Sequence, residues 1–159
     1  MMNWVKFITA FLFALILVIT SLVFYNANKP FSSAINKAET NVLSSGLLTT
    51  VNHSEVYNGT KSMVTVFGKD KEGKEKAVFI DEKTGELVEE IAMSEGVTSD
   101  VAIKTVKSEL KVDKILHVKL GWEEDYPIWE VAFKSDNGTL NYVYVFFESG
   151  EWWKRILNL

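Results

Sequence analysis

The chain predicts an α+β fold: an N-terminal transmembrane helix, then two tandem units, each one helix packed on an antiparallel sheet. Three observations point there. Phe7 to Phe24 is a run of 18 residues without a charge. Short apolar runs separated by turn residues fill most of the remainder, as in a sheet built of hairpins. The order of helix then strands is repeated about 65 residues further on.

The first element is the apolar run FITAFLFALILVITSLVF. As a helix it would be about 27 Å long, close to the roughly 30 Å hydrocarbon core of a bilayer. Trp4 and Tyr25 flank it, where amphipathic rings favour the headgroup level. A buried soluble helix fits poorly, since no polar face exists to meet water. A cleaved signal peptide is the other alternative. The exit LVFYNAN sets Phe24 and Tyr25 where a small-x-small cleavage motif is expected. The reading taken is an uncleaved single-pass anchor. Lys6 and the amino terminus precede it and Lys29 follows, which by the positive-inside rule places the N-terminus in the cytoplasm and residues 30–159 outside the cell membrane.

The outer region begins with an amphipathic stripe at 31, 34, 35, 38 and 42, with Pro30 suited to a helix start and Gly46 to its stop. Strand-like runs follow: Val51–Tyr57, Ser62–Phe67, Ala77–Ile80 and Glu86–Met93. Asn58-Gly59 suits the first hairpin, because tight hairpins need positive φ. A second helix is expected from Thr98, its N-cap, to about Leu110, with Asp100 facing the first turn's partial positive charge. Then come Lys114–Leu120, a loop GWEEDYP, and strands Trp129–Lys134, Thr139–Phe147 and Trp152–Leu157. Setting 64–91 against 129–156 without gaps matches seven of 28 positions, including the turn glycines Gly73/Gly138 and Gly85/Gly150. The expected organisation is a cytoplasmic tail (1–6), an anchor (7–25), a first unit (30–93) and a second (94–159).

Charge and chemistry narrow the function. Residues 30–159 hold 15 basic and all 21 acidic residues, a net −6, which repels phosphates and argues against nucleic-acid binding. The absence of cysteine removes disulfides, zinc-thiolate sites and thiol nucleophiles. No nucleophile elbow, P-loop or dinucleotide fingerprint is present. His53 and His117 fall at non-equivalent positions of the gapless repeat and are expected as ordinary strand histidines. Glu123-Glu124-Asp125 could hold a hard cation or supply a glycosidase carboxylate pair, but is expected as solvated loop charge. Of the sequons at Asn52, Asn58 and Asn137, the last two contain Asn-Gly at expected hairpin turns, so turn geometry explains them more simply. No catalytic residue, metal or cofactor is expected.

Aromatics are the remaining signal. Trp129, Tyr142, Tyr144 and Phe146 alternate as core-facing positions do. Phe147 lies opposite Phe146 in the pleat, and Trp152 and Trp153 cannot share a face. Trp122, Tyr126, Phe147, Trp152 and Trp153 are therefore the candidate protein-contact residues, since exposed aromatics mark contact surfaces.

The runs GKDKEGKEKAVFIDEKTGELVEE, SEGVTSDVAIKTV and PIWEVAFKSDNGTLNYVYVFFESGEWWKRI resemble the YpmB/TseB family of Gram-positive bacteria. Pro127, Trp129, Glu130 and Val131, with the Gly138 and Gly150 turns, are the most specific part. The family tends to carry a Tyr-Val-Trp-like run where Ala77-Val78-Phe79 stands, and a basic tail where this chain has one lysine. The resemblance implies two tandem PepSY-like (cystatin-like) modules and a non-enzymatic regulator of cell-wall elongation beside a penicillin-binding protein or another cell-wall synthesis membrane protein. The PepSY likeness also suggests a peptidase inhibitor as the second reading, and the acidic trio leaves a glycan-cleaving enzyme as a third.

Overall fold

The computed structural model describes residues 2–159, without the side chains of Met2 and residues 26–31. Its contacts divide the chain into residues 1–34 and residues 35–159. The first helix, α1, runs from Met2 to Ser44. Within it, Asn3–Tyr25 is long and apolar enough to cross a membrane, with its side chains exposed. The helix start expected at Pro30 does not occur, because α1 continues through that residue. Proline costs an interior helix a hydrogen bond without forbidding it, and here the helix runs on both sides of it. The side chain of Phe31, part of the expected stripe, lies outside the described residues.

The unit 35–159 holds two four-stranded antiparallel sheets. The first is β1 (Thr50–Asn58), β2 (Ser62–Lys69), β3 (Glu75–Asp81) and β4 (Leu87–Ala92), in that order. A short 3-10 turn, Met93–Glu95, leads to α2 (Ser99–Glu109). The second sheet is β5 (Lys114–Glu123), β6 (Tyr126–Lys134), β7 (Leu140–Phe146) and β8 (Trp152–Ile156), again in chain order. Gly46 ends the α1 segment with φ +76°, and Thr98 sits at the N-cap of α2 without a side-chain cap bond.

The 65-residue offset reappears in three dimensions. Gly73 and Gly138 share positive φ, as do Gly85 and Gly150. The third and fourth strands of each sheet slip register at Phe79/Ile80 and at Tyr144/Val145. The first strands slip at Val51/His53 and Ile115/His117, an offset of 64. His53 and His117 are thus equivalent after all: each follows its bulge, opposite Phe67 and Ala132. One extra residue in the second sheet's first hairpin hid this from a gapless comparison.

That hairpin also corrects the expected loop GWEEDYP. β5 runs on through Glu123, β6 begins at Tyr126, and only Glu124 and Asp125 turn, at φ 46° and 70°. Two-residue hairpins need φ > 0 at both positions, and acids there give no glycine signal. In the first hairpin Gly59 is required for a different reason than φ. A Cβ on it would meet Glu123 Oε1 at 1.7 Å.

The last turns of α1 cover one face of the first sheet. Ala38 and Val42 are buried, Ser54 Oγ donates to Glu39 Oε1 at 2.8 Å, and Asn41 Nδ2 donates to the Gly85 carbonyl at 2.7 Å. The opposite face, with Tyr57, Met63, Phe67 and Phe79, shares one core with Leu120, Trp129, Val131, Phe133, Val143 and Val145 of the second sheet and with Ala102 and Val106 of α2.

Candidate interaction surface

The second sheet has α2 on one face only, and register shows what lies on the other. Ile128 pairs with Phe146, Glu130 with Tyr144, and Ala132 with Tyr142, so these six share a face, since side chains alternate along strands. Val143 and Val145 point the other way and are buried. Tyr142, Tyr144 and Phe146, expected in the core, are therefore half-buried on the open face. Alternation identifies a face but does not say which one is covered.

The rings form a connected platform. Tyr126 meets Phe146 edge-on at 5.7 Å, Phe146 meets Trp153 at 5.9 Å, and Trp153 meets Tyr144 at 6.4 Å. Lys154 Nζ stands 5.8 Å from the Tyr144 ring and 5.9 Å from that of Trp153, within cation–π range. Tyr126 is 54% exposed. Trp153 is the bulged residue of β8, which turns its ring onto this platform.

A polar centre lies beside the rings. Glu130 is only 7% exposed, and its Oε1 is 2.9 Å from His117 Nε2. Burial, then the Glu130 charge, pushes the Tyr144 phenol above its ordinary range, so it stays a neutral donor. A hollow of about 320 Å³ between His117, Lys119, Tyr142 and Tyr144 opens over this carboxylate. Among the described residues, no three His, Asp or Glu side chains converge as a metal site needs.

The other sequence candidates divide. Trp152 is 46% exposed, and its ring carries the Arg155 guanidinium at 3.8 Å. That guanidinium also pairs with Glu109 near the end of α2. The two tryptophans thus serve opposite faces, as the pleat requires. Trp122 is a half-buried residue of β5, not a loop residue, and its ring packs on Phe79 at 5.5 Å. Phe147 is 1% exposed and is not a contact residue. It lies on the α2 side of the pleat, where Gly96 crosses so closely that a Cβ there would come within 2.3 Å of its ring. Trp129 locks the same crossing by donating Nε1–H to the Val97 carbonyl at 2.9 Å.

Glu123 is the largest departure. It is 6% exposed rather than solvated, and its Oε1 accepts from the Tyr57 hydroxyl at 3.1 Å and from the Thr60 N–H at 2.6 Å. Burial, then the Glu123 charge, raises the Tyr57 phenol. The Tyr57 ring lies where a Cβ on Gly121 would be, 2.5 Å away. No spacing rule exposes this latch, because its partners lie more than 60 residues apart in sequence.

These features define a class: an α+β protein with an apolar N-terminal helix, two interlocked antiparallel sheets and one uncovered aromatic face. A cell wall elongation regulator TseB-like domain matches residues 37–81. The probable cell wall elongation regulator TseB of Bacillus subtilis (strain 168) is 32% identical over 108 residues, which are 67% of this chain and 66% of that protein, just under two thirds of its length. The solved YpmB protein from Bacillus subtilis superposes with a TM-score of 0.62 at 29% identity, covering 69% of this chain and 85% of that one. The chain belongs to the YpmB/TseB family.

Proposed function

We propose that this chain is a membrane-anchored, non-enzymatic regulator of cell-wall elongation that works by protein contact through the open face of its second sheet. In this reading residues 1–6 are cytoplasmic, 7–25 are the anchor, and 30–93 and 94–159 are two PepSY-like modules outside the membrane. The partner is a penicillin-binding protein or another cell-wall synthesis membrane protein. The Bacillus relative's role as a probable cell wall elongation regulator supports the process, and the helix Asn3–Tyr25 supports the anchoring. The observation that carries the contact is the uncovered platform of Tyr126, Tyr144, Phe146 and Trp153. Such rings bury large area for little lost side-chain freedom and dominate protein interfaces. Anchoring adds to this, because confining both partners to one surface raises their effective concentration.

A photo-crosslinker at Tyr126 in intact cells tests the reading. It should capture a protein that fluorescent penicillin labels, and Trp153→Ala should cut that yield several-fold while the chain accumulates normally. Unchanged capture in a Trp153→Ala, Phe146→Ala double variant would remove this face from the mechanism.

A further inference from the structure

A second feature, separate from the aromatic platform, is a groove of about 660 Å³ between the two sheets. Its lining includes His53 and Phe67 of the first sheet, Val118 and Trp129 of the second, Met93, and Thr98 at the head of α2. The His53 and Phe67 rings stack at 4.3 Å and 8°. The volume suits a ligand, and domain interfaces are where such pockets concentrate.

The edge of β5 decides what kind of ligand. β5 is an outer strand of its sheet, so alternate residues turn their N–H and C=O away from β6. Trp122 is one of these: its partner Pro127 has no N–H and offers its carbonyl to the Phe147 N–H on the other side. Leu120, two residues back, is another, and the first sheet satisfies it. Its N–H donates to Glu55 Oε1 at 2.9 Å, and its carbonyl accepts from Thr65 Oγ1 at 2.7 Å. The Trp122 N–H reaches Met63 Sδ at 3.3 Å. Side chains of the first sheet thus stand in for a neighbouring strand. Val118 is next on the same edge, and the alternation turns its N–H and C=O into the groove, where the docking ends.

We infer that this groove takes an extended peptide segment, which pairs with the Val118 edge and sets an apolar side chain against Phe67, Met93 and Trp129. The edge asks for one donor and one acceptor at strand spacing, which a polypeptide main chain presents and a compact solute does not. The site continues an interface that the molecule already builds along β5.

The test uses the full chain in lipid nanodiscs and a fluorescent heptapeptide, Ser-Thr-Val-Phe-Val-Thr-Ser, followed by anisotropy. Saturable binding is expected. Val118→Pro removes the edge donor without touching the β5–β6 ladder, as an edge strand permits, and should weaken binding by about tenfold or more. Methylating the central phenylalanine nitrogen of the peptide should do the same, and it decides the matter even if Val118→Pro misfolds. Trp153→Ala should bind as well as the wild type. Absence of saturable binding up to about 1 mM, equal binding of the methylated peptide, or loss of binding in Trp153→Ala would each overturn the assignment.

Discussion

The two sheets share strand order, both bulges and two turn glycines, yet they end in different surroundings. In the first, the central strands β2 and β3 are buried on both faces, by α1 residues on one side and by β5 and its neighbours on the other. The second has α2 on one face and only its own aromatic rings over most of the other. The docking joins the edge of β5 to the first sheet, which also sets Tyr57 over Gly121 and offers the Val56 carbonyl to Lys119 Nζ at 2.6 Å. One backbone plan can thus serve as an internal scaffold in one copy and as a presented surface in the other.

Three sets of substitutions probe this contrast, beginning with the largest effect. Phe79, fully buried under Trp122, should cost about 3–5 kcal/mol on replacement by alanine, from lost burial and the cavity left behind. Phe146→Ala on the open face should cost only about 1 kcal/mol. Urea denaturation followed by tryptophan fluorescence compares them, and equal losses would mean that the second sheet is as enclosed as the first.

Next is the latch. Glu123→Ala leaves the buried Tyr57 hydroxyl and the part-buried Thr60 N–H without their acceptor, at about 2–3 kcal/mol. Tyr57→Phe, which leaves Glu123 still bound by Thr60, should cost nearer 1 kcal/mol. A double-mutant cycle should show the two effects to be non-additive, and simple addition would deny that the residues act as one joint.

The smallest effect is in pH dependence. Burial raises the Glu55 carboxyl, partly offset by the Leu120 N–H and by nearby His53 and Lys119. The folded chain therefore holds this proton to higher pH than the unfolded chain does. The associated stability is complete below the ordinary carboxylate pKa and is lost as pH rises through the raised folded value. Glu55→Gln keeps an acceptor for Leu120 and should flatten that decline in thermal midpoint between acid and neutral pH. An identical pH profile in the variant would show that Glu55 is not the group responsible.

Much of this architecture was legible from local pattern. The apolar helix, the eight strands, α2 and the glycine turns follow from periodicity and turn chemistry, which act between near neighbours. The misreadings have two origins. The Glu124-Asp125 turn is missed locally, because two acids carry no glycine signal, whereas the burial of Glu123, the inward place of Phe147 and the outward place of Tyr142, Tyr144 and Phe146 depend on residues distant in the chain. Of the five contact candidates, Tyr126, Trp152 and Trp153 present surface, Trp122 is half-buried against Phe79, and Phe147 is enclosed.

By itself the sequence determined most of the helix and strand segments, the turns that carry glycine, that one segment is apolar enough to span a bilayer, and that the sheets repeat. Backbone sterics and the burial period are written within a few residues of each position, so those features needed nothing else. Only the tertiary structure decided which face of each sheet is covered, that a buried Glu123 joins the two sheets, and that the edge of β5 runs from a satisfied junction into an open groove. Those outcomes depend on what packs against what, and a side chain's alternation records its direction without naming its neighbour.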